Sequence, residues 1–169
     1  MRHFICGHVY ARFVKSDMEK YSFQYCQKIV VLSKDRAKTL LCRRKGEADF
    51  DGVFSFIGGK METTDLSLLD GLKREKDEEV GESFKIKIYP TFTSSLLFVK
   101  KDGHKMIIPH YLAIHESGEA KLNEEYSEYQ WIKIDKLEEF EPKIPGIPEM
   151  VNRLLRLEKI AKEKEFVLI

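Results

Sequence analysis

Gly58 to Gly81 reads GGKMETTDLSLLDGLKREKDEEVG, and the layout of the chain can be worked out in both directions from this stretch. A short apolar run, Val53 to Ile57, stops at Gly58-Gly59, as a buried strand does where it turns. Thr63, Thr64 and Asp65 all offer capping side chains, and Gly81 stands where a left-handed C-terminal cap belongs. A helix is therefore expected over Thr63–Gly81, with Leu68, Leu69, Leu72 and Val80 as its apolar stripe. Gly71 lies inside that helix at a cost of about 1 kcal/mol relative to Ala, which implies close packing against a neighbour.

Glu75, Glu78 and Glu79 stand at i, i+3 and i+4, a spacing that places three carboxylates along one edge of the helix. Carboxylates so close repel, and Lys73, Arg74 and Lys76 offset only part of the repulsion. A hard divalent cation removes it, and an all-oxygen donor set suits Mg²⁺ or Mn²⁺ rather than zinc. The bare backbone of Gly58-Gly59 can approach such an ion or a phosphate oxygen.

This segment resembles the Nudix box: a Gly, five residues, a Glu, seven residues, then Arg-Glu-apolar-any-Glu-Glu-any-Gly-apolar. Gly59 matches the opening Gly, Asp65 stands at the first acid, and Arg74, Glu75, Glu78, Glu79 and Gly81 match the core; the box spans Gly59 to Glu82. The resemblance implies an α/β fold, an α/β/α sandwich around a mixed β-sheet. It also implies that Glu75, Glu78 and Glu79 are metal ligands, that the backbone carbonyl around Gly59 or Lys60 joins them, and that Arg74 holds the carboxylates. The activity implied is metal-dependent hydrolysis of a phosphoanhydride bond, in a nucleoside triphosphate or a nucleoside diphosphate linked to another group. Eight residues separate Asp65 from Arg74 where the pattern has seven, and Lys76 and Glu82 occupy positions the family makes apolar. Lys76 is expected to bury its stem and carry its ammonium outward.

A water activated for in-line attack on phosphorus needs a base. Glu79 or Glu78 is the first candidate, and Glu125 and Glu128, before Trp131, are the candidates outside the box. Arg43, Arg44 and Lys60 are candidate phosphate contacts. Phe54, Phe98 or Tyr111 can stack a base, although aromatic residues on strands are more often core. Sequence marks of the ADP-ribose, diadenosine-polyphosphate and coenzyme A subfamilies are absent. His104, His110 and His115 are spread along one hairpin and do not form a ligand set.

Upstream, Lys28–Ser33 and Lys38–Arg44 read as a strand pair joined at Lys34-Asp35-Arg36, and residues 1–20 as an extended N-terminal segment. Downstream, Phe84–Tyr89, Ser94–Lys100, Lys105–His115 and Tyr129–Ile134 read as strands. Pro145–Pro148 opens a last helix over about 147–163, with Ile147, Met150, Val151, Leu154, Leu157 and Ile160 on its inner face. The apolar tail Phe166–Ile169 suits closing the sheet, a dimer seam or a docking contact.

The 169 residues, 43% hydrophobic and 34% charged, suffice for one domain spanning the chain. A net charge of +1 provides no global field toward nucleic acid or an anionic membrane, so an anionic ligand needs a local site. Nucleic acid is not an expected partner, capped RNA remaining open, and the chain is expected as a monomer or homodimer. Cys6, Cys26 and Cys42 have no CxxC pairing and read as reduced thiols; Cys6 with His8 is only half a zinc site. Without a signal-like or membrane-length apolar run, the expected location is the cytoplasm. The rival function, a non-catalytic Nudix-fold module that binds a nucleotide or a partner, is favoured by the longer spacer and by Lys76.

Overall fold

A computed structural model describes residues 22–169. The N-terminal segment 1–20, with Cys6 and His8, lies outside the described residues. The strands are β1 (Gln24–Tyr25), β2 (Lys28–Leu32), β3 (Lys38–Arg44), β4 (Phe54–Ser55), β5 (Lys85–Val99), β6 (Lys105–Ser117), β7 (Tyr126–Lys133) and β8 (Val167–Leu168). Helix α1 is Leu68–Val80 and helix α2 is Ile147–Glu158.

All these strands join one sheet, ordered β4-β3-β2-β6-β5-β8, with β1 added beside β6 and β7 beside β3. β1 and β2 run parallel to β6, and the remaining pairs are antiparallel, so the sheet is mixed. The period of two along a strand sorts the core. On β2, Ile29 and Val31 enter one apolar cluster, and Val30 and Leu32 enter the other. Leu72 and Val80 of α1 cover the first cluster, while Met150, Val151 and Leu154 of α2 cover the second. Burial on both faces explains the unbroken apolar run of β2, and the result is the expected α/β/α sandwich.

Several boundaries differ from the sequence reading. Phe84–Tyr89 and Ser94–Lys100 are not separate strands but one long β5, whose register shifts between Tyr89 and Thr93. Pro90 sits in that irregularity, where a missing N–H breaks no ladder. β7 begins at Tyr126, ahead of the expected Tyr129, and β4 shrinks to two residues. α2 stops at Glu158, so Ile160 lies beyond the helix and is 73% exposed, not on its inner face. The tail closes the sheet: Lys87 pairs with Leu168, Ile88 with Val167, and Ile169 is buried in the core. Cys26 and Cys42 are buried free thiols. Among the described residues, no helix is long and apolar enough to cross a membrane.

Candidate active site

Residues 57–61 are zipped antiparallel onto residues 25–29. Gln27 N–H donates to Gly59 O at 2.8 Å, Ile29 N–H to Ile57 O at 2.9 Å, and Met61 N–H to Tyr25 O at 3.0 Å. The turn permits no side chain at Gly58: a Cβ there would lie 2.4 Å from the Gln27 carbonyl oxygen, and φ is +107°. A Cβ on Gly59 would meet Glu75 Oε2 at 2.2 Å, so the second glycine makes room for a carboxylate. Gln27, fully buried, donates from Nε2 to Leu68 O at 2.9 Å and so ties β2 to the start of α1. Its Oε1 would stand 2.8 Å from a Cβ on Gly71, which is the close packing that glycine implied.

α1 begins later than expected. Its N-cap is Ser67, whose Oγ accepts from Asp70 N–H at 3.2 Å; Thr63, Thr64 and Asp65 do not cap it. The extra residue of the box is absorbed ahead of the helix, where Leu66 is 94% exposed. Asp65 instead accepts both prongs of the Arg74 guanidinium, each at 3.0 Å, an arrangement that fixes orientation as well as charge. Arg74 also donates to Lys60 O at 2.9 Å, Glu75 Oε1 at 2.8 Å and Glu78 Oε2 at 3.1 Å. At the other end, Gly81 has φ +87° but an extended ψ of 152°, so it is not the left-handed cap expected. Its N–H donates to Asp77 O at 3.0 Å.

Lys76 contradicts its expected role. It is fully buried, and its ammonium turns inward to donate to Phe84 O at 3.0 Å and to pair with Asp77. The box position that the family fills with an apolar side chain is filled here by a lysine whose charge is satisfied inside the fold.

The three acids share one side of the helix but differ in burial, and one Arg74 nitrogen, Nη1, joins Glu75 to Glu78. Residues of a helix turn about 100° each, and α1 presses Leu72, Lys76 and Glu79 into the protein. Glu75 and Glu79 reach a common cleft, while Glu78 is 55% exposed and does not line it. Glu79 Oε2 accepts from Gly58 N–H, and its Oε1 accepts from the Tyr126 hydroxyl at 2.9 Å. Burial pushes the Glu79 carboxyl up to about 7, while Lys28, the Gly58 N–H and Tyr126 hold it down. Burial also raises Glu75, with Arg74 and Lys28 opposing, and raises Tyr126, reinforced by the neighbouring Glu79. Arg74 holds Asp65 below the usual carboxylate range.

The cleft has a volume of about 760 Å³. Lys28, Arg44, Gly58, Gly59, Glu75 and Glu79 line it, as do Phe50, Leu96 and Phe98. Of the remaining sequence candidates, Lys60 and Glu125 line it. Glu125 is held there because Lys45 N–H donates to its carbonyl at 2.8 Å. Arg43 and Glu128 are paired with each other at 3.1 Å outside the cleft, and Arg43 also donates to Gly52 O at 2.9 Å. Phe54 is core, packed edge-on to Phe140 with centroids 5.0 Å apart, and Tyr111 is buried too; neither reaches the cleft. Phe98 lies 6.0 Å from Phe50, whose φ of +62° is rare for a bulky residue. The histidines form no ligand set: His115 stacks on Phe84 at 4.8 Å, His104 is exposed, and His110 sits in the cleft wall.

Lys28, Tyr126 and Phe50 were not singled out from the sequence. A cation opening the otherwise apolar run KIVVL was the available signal for Lys28; Tyr126 and Phe50 carried none.

Among the described residues, no three His, Cys, Asp or Glu side chains form a metal cage by themselves. The two acids at the glycine turn nevertheless fit a hard cation. Their donors are all oxygen, and the missing side chain of Gly59 lets the Glu75 carboxylate lie directly against the turn.

The NUDIX domain family matches residues 27–154. Nucleoside triphosphatase NudI of Escherichia coli O139:H28 is 31% identical over 106 residues, covering 58% of this chain and 74% of NudI. Among solved structures, the MutT protein of Methanosarcina mazei Go1 superimposes with TM-score 0.67 at 23% identity, covering 81% of this chain and 96% of that one. The NUDIX domain of Shewanella oneidensis NrtR, complexed with ADP ribose, gives TM-score 0.64 at 16% identity, covering 93% and 100%. At these identities the structural likeness speaks for the fold alone, but the family match spans most of the chain and includes the glycine turn, the Arg74 clasp and the acid pair. The chain belongs to the Nudix family of hydrolases.

Proposed function

We propose that this protein is a pyrophosphohydrolase that uses Mg²⁺ or Mn²⁺ to cleave a phosphoanhydride bond. The substrate is a nucleoside triphosphate, or a nucleoside diphosphate linked to another group. The observation that carries this reading is the meeting of Glu75 and Glu79 with the Gly58-Gly59 backbone at a cleft that also holds Lys28, Arg44 and Lys60. Nucleoside triphosphatase is the activity in the name of the NudI relative, which favours the triphosphate arm.

Glu75 and Glu79, with the carbonyls of the glycine turn, would hold the cation; Glu78, at the outer edge of Arg74, is a secondary ligand candidate. Bound there, the cation neutralises phosphate charge and acidifies water. Arg74 holds Glu75 in place, and Asp65 holds Arg74. Arg44, Lys60 and Lys28 present positive charge to the polyphosphate chain. A water oxygen bonds to phosphorus, the bridging P–O bond breaks, and a carboxylate takes the water's proton. Of the acids that line the cleft, Glu79, with its acidity brought near neutrality, and Glu125 are the candidate bases. Phe98, against Phe50, offers a face for stacking a base.

The longer spacer does not favour a purely binding module, because its extra residue sits in the exposed stretch before α1 and Arg74 still grips Asp65. The test is product analysis on a panel of nucleoside triphosphates, ADP-ribose, diadenosine polyphosphates, nucleotide sugars and capped RNA with Mg²⁺ or Mn²⁺. Reaction in ¹⁸O-water identifies the phosphorus attacked. Cleavage that EDTA abolishes supports the reading; a silent panel with the cation bound contradicts it.

A further inference from the structure

Lys28 is a charged group of the cleft that lies outside the box pattern. It opens β2 directly after Gln27, and its ammonium donates to the carbonyl of Gly58. Gly58 is held in place: its N–H is bound to Glu79, and the backbone of Gln27 and Lys28 stands where a Cβ on it would be. Lys28 lines the same cleft as Glu75 and Glu79. Its charge opposes the burial that raises both acids. An ammonium therefore occupies a carbonyl of the glycine turn on which a divalent cation would draw, beside both acids but without a direct ion pair to either.

We propose that Lys28 is a built-in counter-ion that competes with the divalent cation for this cluster and leaves it for the phosphates of an arriving nucleotide. This rests on the reading of Glu75 and Glu79 as cation ligands. Two cations at one acid pair repel, so the free protein binds its metal weakly. The flexible stem of a lysine lets the ammonium move to another acceptor without losing its charge. A polyphosphate chain beside Arg44 and Lys60 supplies that acceptor, and the vacated oxygens then accept the metal. Metal and nucleotide thus strengthen each other's binding by the same factor.

Mn²⁺ binding, read from the electron paramagnetic resonance of the free ion, tests this on wild type, Lys28→Met, Lys28→Gln and Lys28→Arg. Titrations are run with and without tripolyphosphate at matched free Mn²⁺, and circular dichroism confirms that each variant is folded. Without tripolyphosphate, removing the ammonium tightens Mn²⁺ binding by at least about tenfold, because a like charge has left the site. Lys28→Arg keeps the wild-type weakness. With tripolyphosphate, wild type gains affinity for Mn²⁺ and Lys28→Met gains little. Mn²⁺ binding in Lys28→Met and Lys28→Gln that equals or falls below wild type overturns the competition. Absence of Mn²⁺ binding from every form, with tripolyphosphate present, overturns the metal site itself and this inference with it.

Discussion

His110 gives the structure a pH dependence that can be worked out. The ring is 6% exposed, edge-on to Phe56 at 5.8 Å, and Nδ1 lies 3.2 Å from Ser94 O and 3.1 Å from Ile108 O. Both partners are carbonyls, so Nδ1 carries the hydrogen, and burial outweighs these bonds to keep the ring neutral. Burial, helped by the Lys28 charge, lowers the ring from 6.5 to about 4. The unfolded chain takes up a proton near 6.5 that the folded chain refuses until about 4. The stability His110 contributes is therefore complete above 6.5 and is lost as pH falls from 6.5 toward 4. At 1.36 kcal/mol per unit, the loss reaches about 3 kcal/mol. Glu79, raised to about 7, titrates in the opposite sense nearby, so each pH needs a paired comparison. His110→Asn keeps a donor for the two carbonyls and removes the titration. In urea unfolding with EDTA, the variant gains on wild type by about 2–3 kcal/mol between pH 7.5 and pH 4.5. Parallel stability curves for the two proteins would refute a neutral buried His110.

The two glycines of the turn separate fold from site. Gly58→Ala meets backbone at 2.4 Å with φ at +107°, so a loss of about 1–3 kcal/mol in melting experiments is expected. Gly59→Ala meets the Glu75 carboxylate first, a side-chain end and not backbone, so it keeps its melting temperature and loses cation affinity; a large drop in melting temperature speaks against that assignment. Phe98→Leu removes an aromatic face of the cleft and is expected to raise KM about tenfold with little change in kcat, stacking being worth about 1–3 kcal/mol. An unchanged KM places the base elsewhere. Lys76→Met leaves the Phe84 carbonyl without its donor while Asp77 keeps Lys73 at 2.6 Å, so the fold loses about 1–3 kcal/mol. Undiminished stability would show that the lysine can be replaced by an apolar side chain without cost.

The sandwich and the box were legible from the sequence because they rest on periodicity and on punctuation by glycine and proline. KIVVL declared a strand, and Gly71 declared its close neighbour. Boundaries were harder. Three residues in a row offered caps, yet Ser67 takes the role because Asp65 is drawn away by Arg74. The direction of a side chain was harder still. Glu78 shares the helix turn of Glu75 and Glu79 but faces outward, and Arg43 and Arg44 differ by one position and so point to opposite sides of β3. Lys28 and Tyr126 join the site through strand pairings remote in sequence, which no local pattern encodes.

The central claim is tested most directly by nucleoside triphosphate hydrolysis with Mg²⁺ or Mn²⁺, comparing wild type with Glu75→Gln and Glu79→Gln. Each variant keeps the side-chain shape and removes one carboxylate charge. The account predicts cation-dependent cleavage by wild type, abolished by EDTA, and a loss of at least about a hundredfold in both folded variants, in the range seen when charge stabilisation is removed from a site. Full activity in either folded variant, or cleavage that persists in EDTA, would contradict it.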